Sequence, residues 1–456
     1  MLKPLRNAQY ARLFAAQIIA LMGTGLTTVA LALLAFELAG DSAGEVLGIA
    51  LAIKMVAYVT LAPVAGGIAQ LLPRKAYLIT LDLARAGLVL CLPFVTEIWQ
   101  IFLLIFFLQA CSAGFSPVFQ ASIPDILEDE EDYTKALALS RLAYDVESLV
   151  SPALAGAALL LVSFDALFAA NAAAFLASAM LVAAVSFPVS RPETAPERFT
   201  DRITFGLRAY LATPRLRGLL AMSMAVAAAG AMVIVNTVVL VQGSLGLSEE
   251  WTALLLMAFG CGSMVTALIL PRTFQLFDDR PVCMAAGSIM VVSLALGTLQ
   301  PGFSAAAVLW FMIGIGYSAV LVSAGRLLQR SSTKPDRPAY FAAQFALSHA
   351  CWLVTYPLAG WAGSVFGLTT AFALLAMLAL ASLLTAMRVW PNEDASDLFH
   401  RHEALDHTHL HVHDTHHQHA HEGWEGPEPH NHPHSHSPMH HRHTFTIDPH
   451  HMKWPS

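Results

Sequence analysis

Apolar runs of about 20 residues, the length needed to cross the hydrocarbon core of a bilayer, recur along most of this chain. A bilayer offers no water to backbone groups, so such runs must fold as helices. The mean hydropathy of +0.59, with 56% hydrophobic and 12% charged residues, lies outside the range of soluble globular domains. We therefore predict an all-α integral membrane protein with twelve spanning helices, near residues 12–38, 45–69, 76–95, 98–120, 136–162, 165–187, 218–242, 250–270, 281–299, 304–325, 340–362 and 367–387.

A long polar stretch, "VSRPETAPERFTDRITFGLRAYLATPRLRG", separates the sixth run from the seventh. Within it, Ile203, Leu207 and Leu211 stand among arginines, which predicts an amphipathic helix lying on the membrane surface. The chain is therefore expected to contain two six-helix bundles, a linker and a polar tail. Their predicted bounds are 1–187 for the first bundle, 188–217 for the linker, 218–390 for the second bundle and 391–456 for the tail.

The distribution of Lys and Arg predicts the orientation. Loops after the second, fourth, sixth, eighth and tenth runs are basic, whereas the intervening loops carry no Lys or Arg. Cytoplasmic loops hold the excess of basic residues, so both termini are expected in the cytoplasm. The basic loop residues are Arg74, Lys75, Lys135, Arg191, Arg198, Arg202, Arg272, Arg280, Arg330, Lys334 and Arg337.

Histidine is concentrated in the tail, where 19 of the 20 histidines follow residue 399. Few large apolar residues accompany them, so the tail is expected to be disordered without a ligand. Imidazole and carboxylate donors without cysteine suit Ni²⁺, Co²⁺, Zn²⁺ or Cu²⁺. The metal-binding candidates in the tail are His407, His409, His411, His413, His416, His417, His419, His421, His430, His432, His434, His436, His440, His441 and His443.

A histidine-rich tail can also serve as a purification tag or as a pH sensor. The tag is disfavoured because these histidines are interleaved with different residues over some fifty positions. The pH sensor stays open, since the ordinary pKa of imidazole is about 6.5. The five cysteines are scattered without a CxxC pair, so no disulfide framework and no thiolate metal site are expected. No prosthetic group is expected, and the metal ion is expected as the substrate.

Charged residues inside the predicted spans are costly and are therefore functional candidates, with a structural salt bridge as the alternative. Arg141 and Asp145 are spaced i,i+4, which predicts a local ion pair. Lys54 is deep enough to need a partner or a water-filled cavity, and its amine would repel a dication unless deprotonated, so it is not expected to be a metal ligand. Arg326 lies near the end of the tenth run. The candidates for proton coupling or gating are Asp82, Arg85, Asp145 and Glu147.

His349 is the only histidine in the apolar body. Its helix is expected to enter the membrane near Tyr340, so at 1.5 Å per residue His349 lies about 14 Å deep, close to the midplane where transporter sites tend to lie. The alternative is a histidine that joins two helices by a hydrogen bond. The transport-site candidates are His349, Gln344, Ser348 and Asn236, with Cys351 and Tyr356 in the same neighbourhood and Asn171 as a further interhelical polar residue.

Two short motifs carry a family resemblance. The stretch "GGIAQLLPRK", from Gly66 to Lys75, resembles the major facilitator superfamily signature G-x-L-A-D-R-x-G-R-K, with Gln70 where that family has Asp, and "SPALAG", from Ser151 to Gly156, is similar to its antiporter motif G-P-x-x-G-G. The segment from Gly325 onward, together with the His-rich end, resembles the nickel-resistance efflux branch. Leu71 stands where the family has Arg and Pro73 where it has the second Gly. Together with Gln70, these departures argue against the usual ion-pair latch of this loop.

The resemblance implies a major facilitator fold that exports Ni²⁺, and also Co²⁺, in exchange for protons. We therefore expect a monomeric metal-efflux permease of the bacterial inner membrane, which contacts the lipid bilayer, metal ions and protons but no nucleic acid. Three alternatives are an exporter of an organic compound with a metal-sensing tail, a membrane-anchored metal buffer, and an uptake permease. Uptake is disfavoured because the ligand-rich tail is expected inside. Nothing in the sequence resembles an enzyme, since it has no phosphate-binding Gly-rich loop.

Overall fold

The computed structural model describes residues 2–39, 43–69, 71–187 and 199–392, together with four short stretches of the tail. Within these residues the body is helical. The helices are α1 (Ala8–Ala39), α2 (Ala43–Ala69), α3 (Arg74–Cys91), α4 (Ile98–Ile126), α5 (Glu130–Leu159), α6 (Phe164–Ala183), α7 (Phe199–Ala212), α8 (Pro214–Val238), α9 (Glu249–Thr273), α10 (Asp279–Gly297), α11 (Phe303–Ser331), α12 (Arg337–Phe366) and α13 (Leu368–Val389).

Apart from α7, these helices coincide with the predicted spans, and the all-helical membrane fold is confirmed. In the described part of the chain, ten helices are long and apolar enough to cross a membrane. The other two long helices are α5 and α12. Helix α5 carries Arg141, Asp145 and Glu147, and helix α12 carries Gln344 and His349. Their polar residues lower the hydropathy of these two helices. This is the pattern expected of helices that line a polar path rather than face lipid alone.

The helices form two halves, α1 to α6 and α8 to α13. In the first half α1 packs on α6 and α3 packs on α6, and in the second half α9 packs on α11 and α8 packs on α13. Two apolar clusters form the core of the first half, and one large cluster forms the core of the second. The halves meet where α2 and α4 contact α12 and where α5 contacts α9. Residues of α2, α4, α5, α9 and α12 can therefore face a path between the halves.

Glycine allows the close crossing of α9 and α11. A Cβ atom at Gly262 would lie 2.0 Å from the carbonyl oxygen of Phe311, and one at Gly314 would lie 2.0 Å from that of Phe259. Gly262→Ala is therefore expected to lower the free energy of unfolding by about 1–3 kcal/mol, the usual cost of overpacking a core. Gly87→Ala is the matched control, because nothing lies within 4 Å of its added Cβ. Thermal unfolding in detergent measures both, and equal losses would contradict this prediction.

The linker contains a helix, α7, as the sequence predicts. It packs on α12 and α2, so it lies across both halves rather than on lipid alone. Its inward side is formed by Gly206, Ala209 and Tyr210, which are buried, whereas Leu211 is 45% exposed. A Cβ at Gly206 would lie 2.3 Å from the carbonyl oxygen of Ala339. Leu207 of the predicted apolar stripe packs against the core of the second half, and the closest approach to α12 is made by Gly206, the smallest residue of α7.

Part of the tail is described as well. Four short strands occur there, namely β1 (Asp397–His402), β2 (Leu405–His411), β3 (His430–His436) and β4 (Met439–Thr444). β1 pairs antiparallel with β4, and β2 with β3. The register of β2 and β3 sets His407 opposite His434, His409 opposite His432 and His411 opposite His430. Histidine alternates with other residues here, and this two-residue period matches a strand.

Candidate transport site and closed end

A buried carboxylate joins the two halves at the end of the bundle where α2, α4 and α11 end. We call this the closed end. Asp125, at the end of α4, forms ion pairs with Arg74 at the start of α3 and with Arg337 at the start of α12. Arg74 also donates to the backbone oxygen of Lys334 at 2.8 Å. One acid of the first half therefore holds an arginine from each half, and its own side chain is 2% exposed.

This arrangement corrects the expectation that the latch is absent. Position 70, where the family has an acid, lies outside the described residues. The acid is supplied instead by Asp125, some fifty residues further along the chain, and Arg74 of the matched motif is one of its partners. The motif places the acid in the loop itself, so a carboxylate from the end of α4 was missed.

A second connection at the closed end is centred on Arg326 in α11. Its guanidinium pairs with Asp279 of α10 at 2.9 Å and with Glu130 of α5 at 2.7 Å, and it donates to the hydroxyl of Thr134 at 2.5 Å. Tyr133 of α5 donates to the backbone oxygen of Gly325 at 3.1 Å. Two elements of the second half are thereby tied to the start of α5, so separating the halves here breaks several polar contacts together.

An exposed pair completes this end. The ammonium of Lys334 lies 2.6 Å from the carboxylate of Glu128, and both side chains are more than half exposed. Hydrogen bonding to Lys334 holds the pKa of Glu128 below its usual value. The pair favours closure above the ordinary pKa of the carboxyl and loses this effect as the pH falls through the lowered pKa. Because water and salt screen it, it contributes much less than Asp125.

Deeper in the bundle, the predicted i,i+4 ion pair between Arg141 and Asp145 is present. Ser263 of α9 accepts from Arg141 Nε at 2.9 Å and donates to Asp145 at 2.7 Å, so the pair on α5 also holds the second half. The guanidinium lies 5.0 Å from the ring centroid of Tyr317 in α11. This group is consistent with the gate or packing interpretation of Asp145, and Ser263 is a partner that the sequence did not single out.

His349 lies in a small group of half-buried side chains from both halves. We call Lys54, Tyr58, Gln109, Phe345 and His349 the central cluster. The Tyr58 and His349 rings meet edge to face with centroids 4.8 Å apart, and Tyr58 donates from its hydroxyl to Gln109 at 2.8 Å. Lys54 lies with its ammonium 5.6 Å from the Tyr58 ring centroid. Residues of α2, α4 and α12 therefore meet around one imidazole.

The hydrogen bond made by His349 fixes the role of its two ring nitrogens. Nδ1 lies 2.7 Å from the backbone oxygen of Phe345. A carbonyl oxygen can only accept, so Nδ1 carries the proton and donates. In the neutral ring Nε2 then keeps its lone pair. An imidazole in this tautomer can donate that lone pair to a metal ion.

The other transport-site candidates do not join His349. Gln344 accepts a hydrogen bond from Tyr210 of α7 and donates to Ser223 of α8 at 3.2 Å. Asn236 donates to the backbone oxygen of Ala359 at 3.1 Å, which is a link between α8 and α12. Ser348 donates to the backbone oxygen of Phe345 within its own helix. Asn171 likewise joins helices, by donating to Thr27 at 2.7 Å.

The remaining acidic candidates lie in the first half. Asp82 pairs with Arg85 and accepts from Ser178 at 2.9 Å, and Arg85 lies 4.0 Å from the ring centroid of Phe115. Glu147 lies against α1, because a Cβ at Gly25 would be 2.6 Å from its carboxylate oxygen. The same carboxylate interacts electrostatically with Lys54. Of the acidic candidates, Glu147 is therefore the one linked to the central cluster, through Lys54.

The tail candidates are described only in part. His413, His416, His417, His419 and His421 lie outside the described residues, and the others lie on β2, β3 and β4. Among the residues that are described, no group of three or more His, Cys, Asp or Glu side chains is placed to hold a metal ion. The tail histidines are thus brought together here by strand register alone.

Comparison with known proteins identifies the family. The family model described as Major Facilitator Superfamily matches residues 13–295 and 219–425, which together take in most of the chain. Among curated proteins, the uncharacterized MFS-type transporter YfiS of Bacillus subtilis (strain 168) is 29% identical over 186 residues. That match covers 40% of this chain and 44% of YfiS, so the chain spans less than half of this relative's length.

Solved structures share the fold over nearly their whole length. The human organic anion transporter MFSD10 (TETRAN) superimposes with a TM-score of 0.72 at 11% identity, covering 83% of this chain and 98% of that one. A bacterial homologue of the iron transporter ferroportin, in the outward-facing state, gives 0.66 at 15% identity with coverage of 83% and 98%. The E. coli fucose:proton symporter FucP gives 0.65 at 14% with coverage of 84% and 98%. At these identities the likeness shows the fold alone, and with the family match it means that this chain belongs to the major facilitator superfamily of membrane transporters.

Proposed function

We propose that this transporter exports a divalent transition-metal ion, Ni²⁺ first and Co²⁺ second, from the bacterial cytoplasm across the inner membrane in exchange for protons. The observation that carries the proposal is the distribution of histidine. Nineteen imidazoles are gathered in the tail, and the one remaining histidine lies in the central cluster with Nε2 available as a donor. Imidazole is the commonest metal ligand among side chains.

The direction of transport is inferred from the charge of the loops. With the basic loops in the cytoplasm, both termini and the closed end lie inside, and the tail meets metal that has already entered the cell. The register of β2 and β3 supports a capture or buffering role, because it pairs histidine with histidine at three positions. One of the structural neighbours is a homologue of an iron transporter, which is compatible with metal as cargo.

Protons supply the driving force in this proposal. Metal binding requires imidazole and carboxylate in their unprotonated forms, so protons that enter from the outer side compete with the metal and release it. The acid best placed for this role is Glu147, because its interactions link it to Lys54 and thus to the central cluster. Asp145 is already held by Arg141 and Ser263 and is proposed to act mainly in gating.

Inverted membrane vesicles test this function. Vesicles with an acidic interior are expected to accumulate radiolabelled nickel at a rate above that of vesicles without the protein, and an ionophore that collapses the pH gradient is expected to abolish the difference. Cobalt should compete with nickel. Binding without gradient-dependent uptake would contradict transport and favour a membrane-anchored buffer. Growth of a deletion strain across a panel of metals then ranks the substrates.

A second candidate is an exporter of an organic compound. Aromatic rings favour it, since Trp352 and Tyr356 of α12 lie with centroids 4.9 Å apart and Tyr317 of α11 lies 6.3 Å from Trp352. Flat apolar compounds bind such surfaces well. Vesicles that take up a fluorescent organic cation or anion in a gradient-dependent way, but not nickel, would support this alternative.

A further inference from the structure

The central cluster surrounds His349 with neighbours that are unusual for a bare metal ion. Its ring contacts are with Phe345, at a centroid distance of 4.2 Å, and with Tyr58, at 4.8 Å. The charged member of the cluster is Lys54, whose ammonium lies 5.6 Å from the ring centroid of Tyr58. A transition-metal site in a protein generally uses three or four donor atoms. Within the residues that the structure describes, this cluster offers one imidazole.

One imidazole cannot hold a metal ion against competing cytoplasmic ligands. The remaining donors must therefore come from other side chains when the bundle moves or arrive with the metal. Glu147 lies against α1 at Gly25, and the side-chain oxygen of Gln109 accepts from Tyr58. Gln344 is hydrogen-bonded to Tyr210 and Ser223. Asn236 is hydrogen-bonded to the backbone oxygen of Ala359. Cys351 donates to the backbone oxygen of Leu347 at 3.3 Å. The contacts of this structure thus favour donors that arrive with the cargo.

The charge of Lys54 leads to the same conclusion. An ammonium repels a free dication, and the repulsion is strong where the surroundings screen charge poorly. The sign reverses if the metal carries a carboxylate-bearing chelator, because Lys54 then pairs with a carboxylate of the chelator. Lys54 also interacts electrostatically with Glu147, so the site presents a positive and a negative side chain. A chelate with a cationic metal centre and an anionic edge matches both charges.

We infer that the cargo of this site is a divalent metal ion already chelated by a small carboxylate-bearing ligand. Lys54 pairs with a carboxylate of the chelator, and Nε2 of His349 takes the coordination position of a metal-bound water, which is released. The aromatic faces of Tyr58 and Phe345 contact the organic part of the chelate. This inference rests on the proposed function, and it also explains why aromatic rings and a lysine occur beside the histidine.

Proteoliposomes containing the full-length protein test the inference. Under one pH gradient and at equal total nickel, initial uptake is measured for Ni²⁺ alone, for Ni²⁺ with citrate, for Ni²⁺ with L-histidine and for Ni²⁺ with EDTA. We expect citrate or L-histidine to raise the rate at least about tenfold over free Ni²⁺, which is a difference of about 1.4 kcal/mol. EDTA occupies all the coordination positions of the metal, so its complex is expected not to be transported.

Variants at Lys54 separate charge from ligation. Lys54→Met is expected to lower uptake of the citrate complex by about tenfold, because the carboxylate loses its counter-charge. Lys54→Arg keeps the positive charge but cannot act as a metal ligand, so it is expected to retain uptake within about threefold of the parent. Thermal unfolding in detergent checks that both variants are folded.

Each outcome distinguishes the two proposals. Equal transport of free and chelated Ni²⁺, with Lys54→Met as active as the parent, would overturn the chelate inference and leave metal export standing. Transport of the EDTA complex at the rate of the citrate complex would overturn the role of His349 in coordination. If neither free nor chelated nickel is transported, the proposed function itself fails.

Discussion

Asp125→Asn is expected to open the closed end of the bundle. Arg74 and Arg337 would keep their positive charges but lose the carboxylate that both of them contact. Removing one partner of a buried ion pair typically costs about 3–5 kcal/mol, because the remaining charge is left without compensation. Here two guanidinium groups from opposite halves are affected, so much of this cost falls on the closed state. The population in which the halves separate at this end should rise steeply.

Cysteine labelling measures this opening. Ser332 is 6% exposed at the closed end, and Ser332→Cys changes the size of the side chain little. The membranes are prepared so that the thiol reagent reaches the closed end. The reagent is expected to modify this cysteine at least about tenfold faster in the Asp125→Asn background than in the parent background. Labelling of the native cysteines in the parent protein without Ser332→Cys gives the baseline.

Glu128→Gln is the matched control for the Asp125 variant. It also removes one carboxylate that contacts the second half, but Glu128 and Lys334 are more than half exposed. Exposed pairs contribute little to stability, so the labelling rate should stay close to that of the parent. If Asp125→Asn and Glu128→Gln label Ser332→Cys at the same slow rate, the assignment of Asp125 as the joint between the halves is wrong.

The fold was predictable from the sequence because a membrane imposes its length on each helix. The predicted spans coincide with the observed helices for this reason. The linker was predictable as a helix but not in its packing, since the choice between lipid and protein depends on a partner distant in sequence. At Gly206 that partner is Ala339, and only the folded chain shows that the smallest residue of α7 is the one in closest contact.

The polar contacts between the halves were mostly not predictable. Arg141 and Asp145 are four residues apart on one helix, so their spacing alone predicts the ion pair that is observed. Asp125 and Arg337 are 212 positions apart, and no periodicity links them. Helical geometry does explain one separation, because Gln344 precedes His349 by five residues and the two side chains are about 140° apart around α12. They accordingly contact different neighbours, Ser223 in one case and Tyr58 in the other.

His349→Ala is expected to nearly abolish metal resistance if the proposed function holds. The variant removes the imidazole of the central cluster, and with it the Nε2 donor that the Phe345 hydrogen bond leaves available. Loss of a residue that merely supports a metal ligand costs about 10–100-fold in affinity or activity, so loss of the ligand itself should cost at least on the order of 100-fold. The measurements are growth of a deletion strain in nickel and gradient-dependent uptake by inverted vesicles.

Two variants define what the His349→Ala result means. Ser348→Ala is the neighbouring control, since the Ser348 hydroxyl donates to a backbone oxygen of its own helix and its loss should leave transport nearly unchanged. Deletion of residues 400–456 removes 19 imidazoles and is expected only to reduce resistance or to shift its dependence on metal concentration. Loss of the tail histidines should thus have a smaller effect than loss of the single imidazole of His349. The tail concentrates metal, whereas the path between the halves must bind and release it. Full resistance in a well-expressed His349→Ala strain would exclude the central cluster as the metal site and place the selectivity of this transporter elsewhere in the bundle.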